Sequence, residues 1–204
     1  MRFLRCGEHA LLVELDGLDE VLGRYHALRR HPPVGVGELV PASRTLLVHF
    51  DPLLTDREKV ARAVEDVPPE SPARADDRLV EIPVRYDGED LEEVSVLTGL
   101  SASEVVKSHT GGEYLAAFGG FAPGFLYITG LPETLRLPRR DTPRTRVPSG
   151  AVALGGGYTA VYPRDSPGGW HIIGHTCLSM WDLDREPPAA LSPGDRVRFV
   201  EVGE

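Results

Sequence analysis

Ala10-Leu-Leu-Val-Glu-Leu15 is an apolar run of strand length, and behind it Leu18, Val21, Leu22, Tyr25 and Leu28 recur at the spacing of one helix face. The pattern predicts a strand followed by a helix over about 18–30, which Pro32-Pro33 ends. Gly37-Glu-Leu-Val-Pro41 and Arg44-Thr-Leu-Leu-Val-His-Phe50 then read as two strands joined by a short turn. Thr55-Asp-Arg-Glu58 carries a capping-box pattern, with Val60, Val64 and Val67 behind it at helical spacing. The order strand, helix, strand, strand, helix predicts a small sheet with helices on one face, of the ferredoxin-like type.

Pro68-Pro-Glu-Ser-Pro-Ala-Arg-Ala-Asp-Asp77 has three prolines and only small or charged residues besides, so it has nothing to bury and reads as a linker. The expected division is 1–77 and 78–204. In the second part Leu79–Val84 reads as a strand. Leu91–Leu97, and Ser101-Ala-Ser-Glu104 (a second capping box) through His109, read as two short helices. Beyond Gly112 the texture changes to short apolar runs divided by Gly and Pro: Ala151–Leu154, Tyr158–Tyr162, Trp170–Ile173 and Arg196–Val200. That spacing predicts a mostly β barrel or sandwich, with Gly155-Gly-Gly157 as a hairpin turn. The chain as a whole is expected to be α+β.

A length of 204 with 41% hydrophobic and 26% charged residues is ordinary globular composition. No apolar run reaches membrane-spanning length and the first residues lack a signal-peptide core, so the expectation is a soluble, cytoplasmic protein with no membrane partner. Cys6 and Cys177 stand alone, which indicates neither a metal-binding pair nor a disulfide framework. A net charge of −9, with Lys59 and Lys107 as the only lysines, argues against nucleic acid as a partner.

Against that acidic background, Arg136, Arg139, Arg140, Arg144 and Arg146 fall within eleven residues, interrupted by Pro138 and Pro143. Such a run is a stiff extended loop rather than a helix. Its charge density calls for something negative among the side chains, and guanidinium matches carboxylate and phosphate in bidentate fashion. Just before it, Gly120-Phe-Ala-Pro-Gly-Phe125 and Tyr127 offer close backbone approach and stacking surface. Ser166-Pro-Gly-Gly-Trp170 places two glycines before an aromatic ring, a turn able to hold an anion or a planar amide. The candidate binding residues are therefore Phe121, Pro123, Gly124, Phe125, Tyr127, Arg139, Arg140, Arg144, Arg146, Gly168, Gly169 and Trp170. His109 is a possible acid/base group, or a helix-terminal histidine favoured by the dipole. His171 and His175 lack the acidic neighbour of a zinc-protease motif, and no phosphate loop or Gly-x-Ser-x-Gly is present, so no metal bound by this chain alone is expected.

Gly120–Phe125, Pro138-Arg-Arg140, Pro143–Pro148, Tyr162-Pro163, Ser166–Trp170, Ile173-Gly-His-Thr176 and Pro193–Val197 together resemble the KipI, or PxpB, family. This is the B subunit of bacterial ATP-dependent 5-oxoprolinase, often labelled allophanate hydrolase subunit 1 and similar to part of the carboxyltransferase domain of urea carboxylase. The resemblance implies a ferredoxin-like N-terminal domain and a cyclophilin-like β-barrel C-terminal domain. It also implies a KipA/PxpC-type partner, a PxpA (YcsF-like) subunit, a small-molecule amide substrate, and ATP with Mg²⁺ shared with a partner subunit. The alternatives it carries are an inhibitor of a sensor histidine kinase and a subunit of a urea carboxylase or allophanate hydrolase type of enzyme. His175 stands where the family commonly has Arg, which makes it a further candidate anion contact. On this reading Arg140→Ala with Arg144→Ala should abolish turnover and leave the fold nearly intact.

Overall fold

A computed structural model describes residues 1–69 and 78–203; most of the proline-rich linker therefore lies outside the described residues. The chain forms two compact units, Met1–Asp77 and Arg78–Glu204.

In the first unit β1 (Arg2–Cys6), β2 (Ala10–Glu14), α1 (Leu18–Arg30), β3 (Val36–Pro41), β4 (Thr45–Phe50) and α2 (Arg57–Asp66) follow in order. The sheet order is β1-β2-β4-β3, with every neighbouring pair antiparallel. Alternation on β4 turns Leu46, Val48 and Phe50 to the face on which Val21, Tyr25 and Leu28 of α1 and Val60 and Val64 of α2 pack. The expected strand–helix pattern holds. One strand goes beyond it: where a ferredoxin-like chain would return after its second helix, the edge is supplied by β1 from the N-terminus. The cap of α2 is also one residue later than the Thr55 box implies, because Asp56 accepts from Lys59 N–H at 2.9 Å while Thr55 N–H bonds Asp51 O.

The second unit begins with β5 (Leu79–Val84), α3 (Leu91–Thr98), α4 (Ala102–Thr110), β6 (Tyr114–Gly119) and β7 (Leu126–Thr129). After a 3-10 turn come β8 (Arg144–Val147), β9 (Ala151–Gly155), β10 (Tyr158–Val161), β11 (Ser166–Gly168), β12 (His171–His175) and β13 (Arg196–Glu201). Seven strands run in the order β12-β9-β10-β7-β6-β13-β5, with β5 and β13 parallel. Arg85 and His175 exchange backbone hydrogen bonds of 2.9 and 2.8 Å, joining the two edges and nearly closing a barrel. Ile82, Val84, Ile128, Leu154 and Phe199 fill its interior, and the capping box of Ser101 with Glu104 forms as expected at α4. Gly156 and Gly157, both at positive φ, make the two-residue turn between β9 and β10. The α+β class and the β-barrel second unit stand. Among the described residues no helix is long and apolar enough to cross a membrane.

Candidate functional site

Between β6 and β7 the chain makes two consecutive turns. Ala122 N–H bonds Gly120 O at 2.7 Å around Phe121, which has φ of 66°, an uncommon value for a residue with a side chain. Phe125 N–H then bonds Ala122 O at 3.0 Å across Pro123 and Gly124, with Gly124 at φ of 81°, so Pro at the second and Gly at the third position give a type II turn. Gly124 has no room for a side chain, since a Cβ would sit 2.9 Å from Met180 O. Pro123 and Gly124 thus shape the turn. Its product is Phe121, 58% exposed and held in a strained conformation.

Phe121 forms the rim of a recess of about 80 Å³ whose wall is Phe125, Tyr127, Tyr162 and Trp170 and whose opposite rim is Pro167–Gly169. The rings meet edge to face, Phe125 lying 5.3 Å from both Phe121 and Tyr162 and 5.8 Å from Trp170. Gly168 is required there, because a Cβ would fall 2.3 Å from the Tyr162 hydroxyl. Burial pushes that phenol up to about 12, so it stays neutral. Arg139 covers the recess with its guanidinium 5.9 Å from the Trp170 ring. Among the described residues no carboxylate, histidine or thiol lines it. It can bind a planar, negatively charged molecule, but it carries no group suited to proton transfer at neutral pH.

The remaining arginines do not converge on this recess. Arg140 Nη1 donates to Asp90 Oδ1 at 2.7 Å and also pairs with Glu93; Arg144 Nη2 donates to the same Asp90 oxygen at 2.6 Å. Arg146 pairs with Asp165, and Arg136 Nε donates to Leu131 O. The sequence calls for something negative among these arginines, and for Arg140, Arg144 and Arg146 it is supplied by carboxylates of the same chain. Asp90 is buried, and its second oxygen accepts from Ile172 N–H at 2.7 Å. Burial by itself would raise its carboxyl, but the hydrogen bonds from Arg144 and Ile172 and the two guanidinium charges outweigh that and hold it below the ordinary carboxylate range. Asp90, Glu93 and His171 bring three potential metal-ligand atoms within 4.8 Å of one another, but both carboxylates already accept from Arg140.

Both other histidine candidates lie elsewhere. His175 sits at the barrel seam, with Nδ1 2.7 Å from Asp87 Oδ1. His109 is fully buried in α4, its ring nitrogens bonded to the Tyr86 hydroxyl at 2.7 Å and to Thr159 Oγ1 at 3.1 Å. Neither a solvent-reaching acid/base group nor a surface helix end describes it. Burial pushes it down to about 3, so the folded chain resists a proton that the unfolded chain binds near 6.5. Acidification from pH 7 through 5 is therefore expected to destabilise the second unit progressively. His109→Gln should flatten that slope, measured as unfolding free energy in urea at pH 7.5, 6 and 5.

With this geometry in view, the kinship of the chain is informative. A pattern for the carboxyltransferase domain, subdomain C and D, matches residues 1–191. The chain belongs to this family. The 5-oxoprolinase B subunit of Bacillus subtilis is 38% identical over 98% of this chain and 92% of its own length. That of Escherichia coli O157:H7 is 51% identical over 62% of this chain and 60% of its own. The crystal structure of TTHA0988 superposes with a TM-score of 0.83 at 39% identity, over 97% of this chain but 41% of that protein. The chain thus spans about three fifths of the Escherichia coli relative and two fifths of TTHA0988.

Of the residues singled out in the sequence, Phe121, Phe125, Tyr127, Arg139, Gly168, Gly169 and Trp170 meet at the recess. Tyr162 was missed as a wall residue, although the buried strand end that carries it was visible. Asp90 and Glu93 were missed as well, because Asp-x-x-Glu ahead of an apolar run reads as a helix start.

Proposed function

We propose that this chain is the subunit of an ATP-dependent 5-oxoprolinase that holds a small cyclic amide by its carboxylate. Arg139 takes the carboxylate and the aromatic wall takes the ring. One observation carries this reading: in the run 136–146, Arg139 is the arginine whose guanidinium rests on an aromatic face, with no carboxylate or carbonyl accepting from it among the described residues. Its forked donors remain available at the mouth of a recess walled by aromatic rings, and guanidinium pairs with a carboxylate in bidentate fashion. Relatives that bear the name of the 5-oxoprolinase B subunit support the assignment.

The run does not fit a triphosphate, since Arg140, Arg144 and Arg146 already neutralise carboxylates of the chain. ATP and its Mg²⁺ therefore belong to a partner of the KipA/PxpC or PxpA (YcsF-like) kind. The same partner must bring the acid and base that the recess lacks. Phe121 faces outward at the rim, where such a partner would close the site.

The test is reconstitution with both partner subunits. Arg139→Ala is expected to raise KM for 5-oxoproline roughly 10- to 100-fold, the loss of one charge-assisted pair. Phe121→Gly should lower turnover while raising stability by about 1 kcal/mol through relief of backbone strain. ATP-dependent glutamate formation that continues unchanged without this chain would remove the reading.

A further inference from the structure

We propose that Asp90 is the positioning residue that sets Arg139 over Trp170, an inference that rests on the anion-holding role given to Arg139 above. The two residues flanking Arg139 are tied to the two residues flanking Trp170. Arg140 N–H donates to Gly169 O at 2.8 Å, and His171 Nε2 donates to Pro138 O at 3.1 Å. These cross-links leave Arg139 and Trp170 facing each other by register. Asp90 then locks the pair from behind. One carboxylate oxygen receives Arg140 Nη1, the other receives Ile172 N–H, and Asp90 N–H donates to Ile172 O at 2.9 Å. A single carboxylate thereby fixes both the arginine segment and the strand that carries Trp170.

Two observations indicate that this hub serves placement as well as stability. Asp90 occupies the N-cap position of α3, where a carboxylate would ordinarily accept from a first-turn N–H, yet it makes no side-chain cap. The hub also leaves Arg140 Nε, Arg144 Nη1 and His171 Nδ1 buried without a hydrogen-bond partner among the described residues. Buried ion pairs contribute little stability beyond a well-packed apolar replacement, but they enforce one geometry. Here that geometry places the Arg139 backbone before a substrate anion arrives, so ordering Arg139 costs less at the moment of binding.

The experiment is a double-mutant cycle in the reconstituted enzyme, read as KM for 5-oxoproline. Asp90→Asn keeps the shape and removes the charge, and it is expected to raise KM about tenfold with kcat changed far less. In the Asp90→Asn/Arg139→Ala double variant, KM should rise no further than in Arg139→Ala alone. A merely structural Asp90 would instead multiply its effect onto that of Arg139→Ala, and this result overturns the proposal while leaving the anion site standing. If Arg139→Ala leaves KM unchanged, the anion site and the positioning role fall together. Should Asp90→Asn fail to fold, Arg140→Met carries the same prediction, because it removes the side-chain nitrogen through which Asp90 holds the arginine segment while Asp90 keeps Arg144 as its charge partner.

Discussion

Arg140→Ala combined with Arg144→Ala is expected to lower the unfolding free energy of the second unit by about 3 kcal/mol. Exposed arginines would contribute a fraction of that. These two are different because their side chains are 23% and 21% exposed and they share one carboxylate that is 4% exposed. Removing both leaves Asp90 buried with only the Ile172 N–H, and an uncompensated buried charge is among the few lesions that cost this much. Urea denaturation of wild type and double variant at pH 7.5 measures the loss directly. Equal midpoints would show that the hub is solvated rather than buried. Against a typical total of roughly 5–15 kcal/mol, the double variant should still fold in the cold but populate unfolded forms at growth temperatures. Loss of activity in it would therefore say nothing about substrate contact, which reverses the use that the sequence alone proposes for this pair.

Gly88→Ala should be at least as damaging. A Cβ on Gly88 would stand 2.3 Å from Ile172 O, 2.3 Å from the Ile173 carbonyl carbon and 2.5 Å from Gly174 N, all backbone atoms of β12. Nothing there can rotate away. Either the 87–90 segment lifts off β12, taking Asp90 from Ile172 and from both guanidiniums, or β12 shifts in the sheet. Overpacking against backbone costs about 3 kcal/mol or more. The expected result is a fall in melting temperature of roughly 10 °C or greater for a unit of this size. An unchanged melting temperature would mean that the segment packs against the strand less closely than the structure has it.

The elements legible in the sequence were those whose burial alternates or whose cap is local. Leu46, Val48 and Phe50 announce β4, and Ser101 with Glu104 announces α4, since in each case the signal lies within a few residues of its effect. β1 was not legible because Arg2 and Arg5 flank a half-buried Phe-Leu pair, so it carries no run of apolar residues. It is defined by pairing with β2 rather than by its own pattern. The recess was partly legible because strained turns and close approaches require Gly and Pro, and those residues stand out at 119–125 and 167–169. The ion-pair hub was not. Asp90 lies 50 and 54 residues from the arginines it binds, and charge density along a chain does not report which carboxylates folding will bring back to it.

The parallel pairing of β5 with β13 also has a consequence for the order in which the chain can acquire its structure. Partners there stand 117 residues apart, and β13 sits between β6 and β5 in the sheet. During synthesis the sheet of the first unit can close as soon as its own strands have emerged, because every strand pairing it needs is made within its first 50 residues. The second unit must wait with β5 unpaired on that side until Arg196–Glu201 leaves the ribosome, and only then can the barrel edge form. Closing so long a loop is slow, and the strand exposed meanwhile is a template for pairing with other chains.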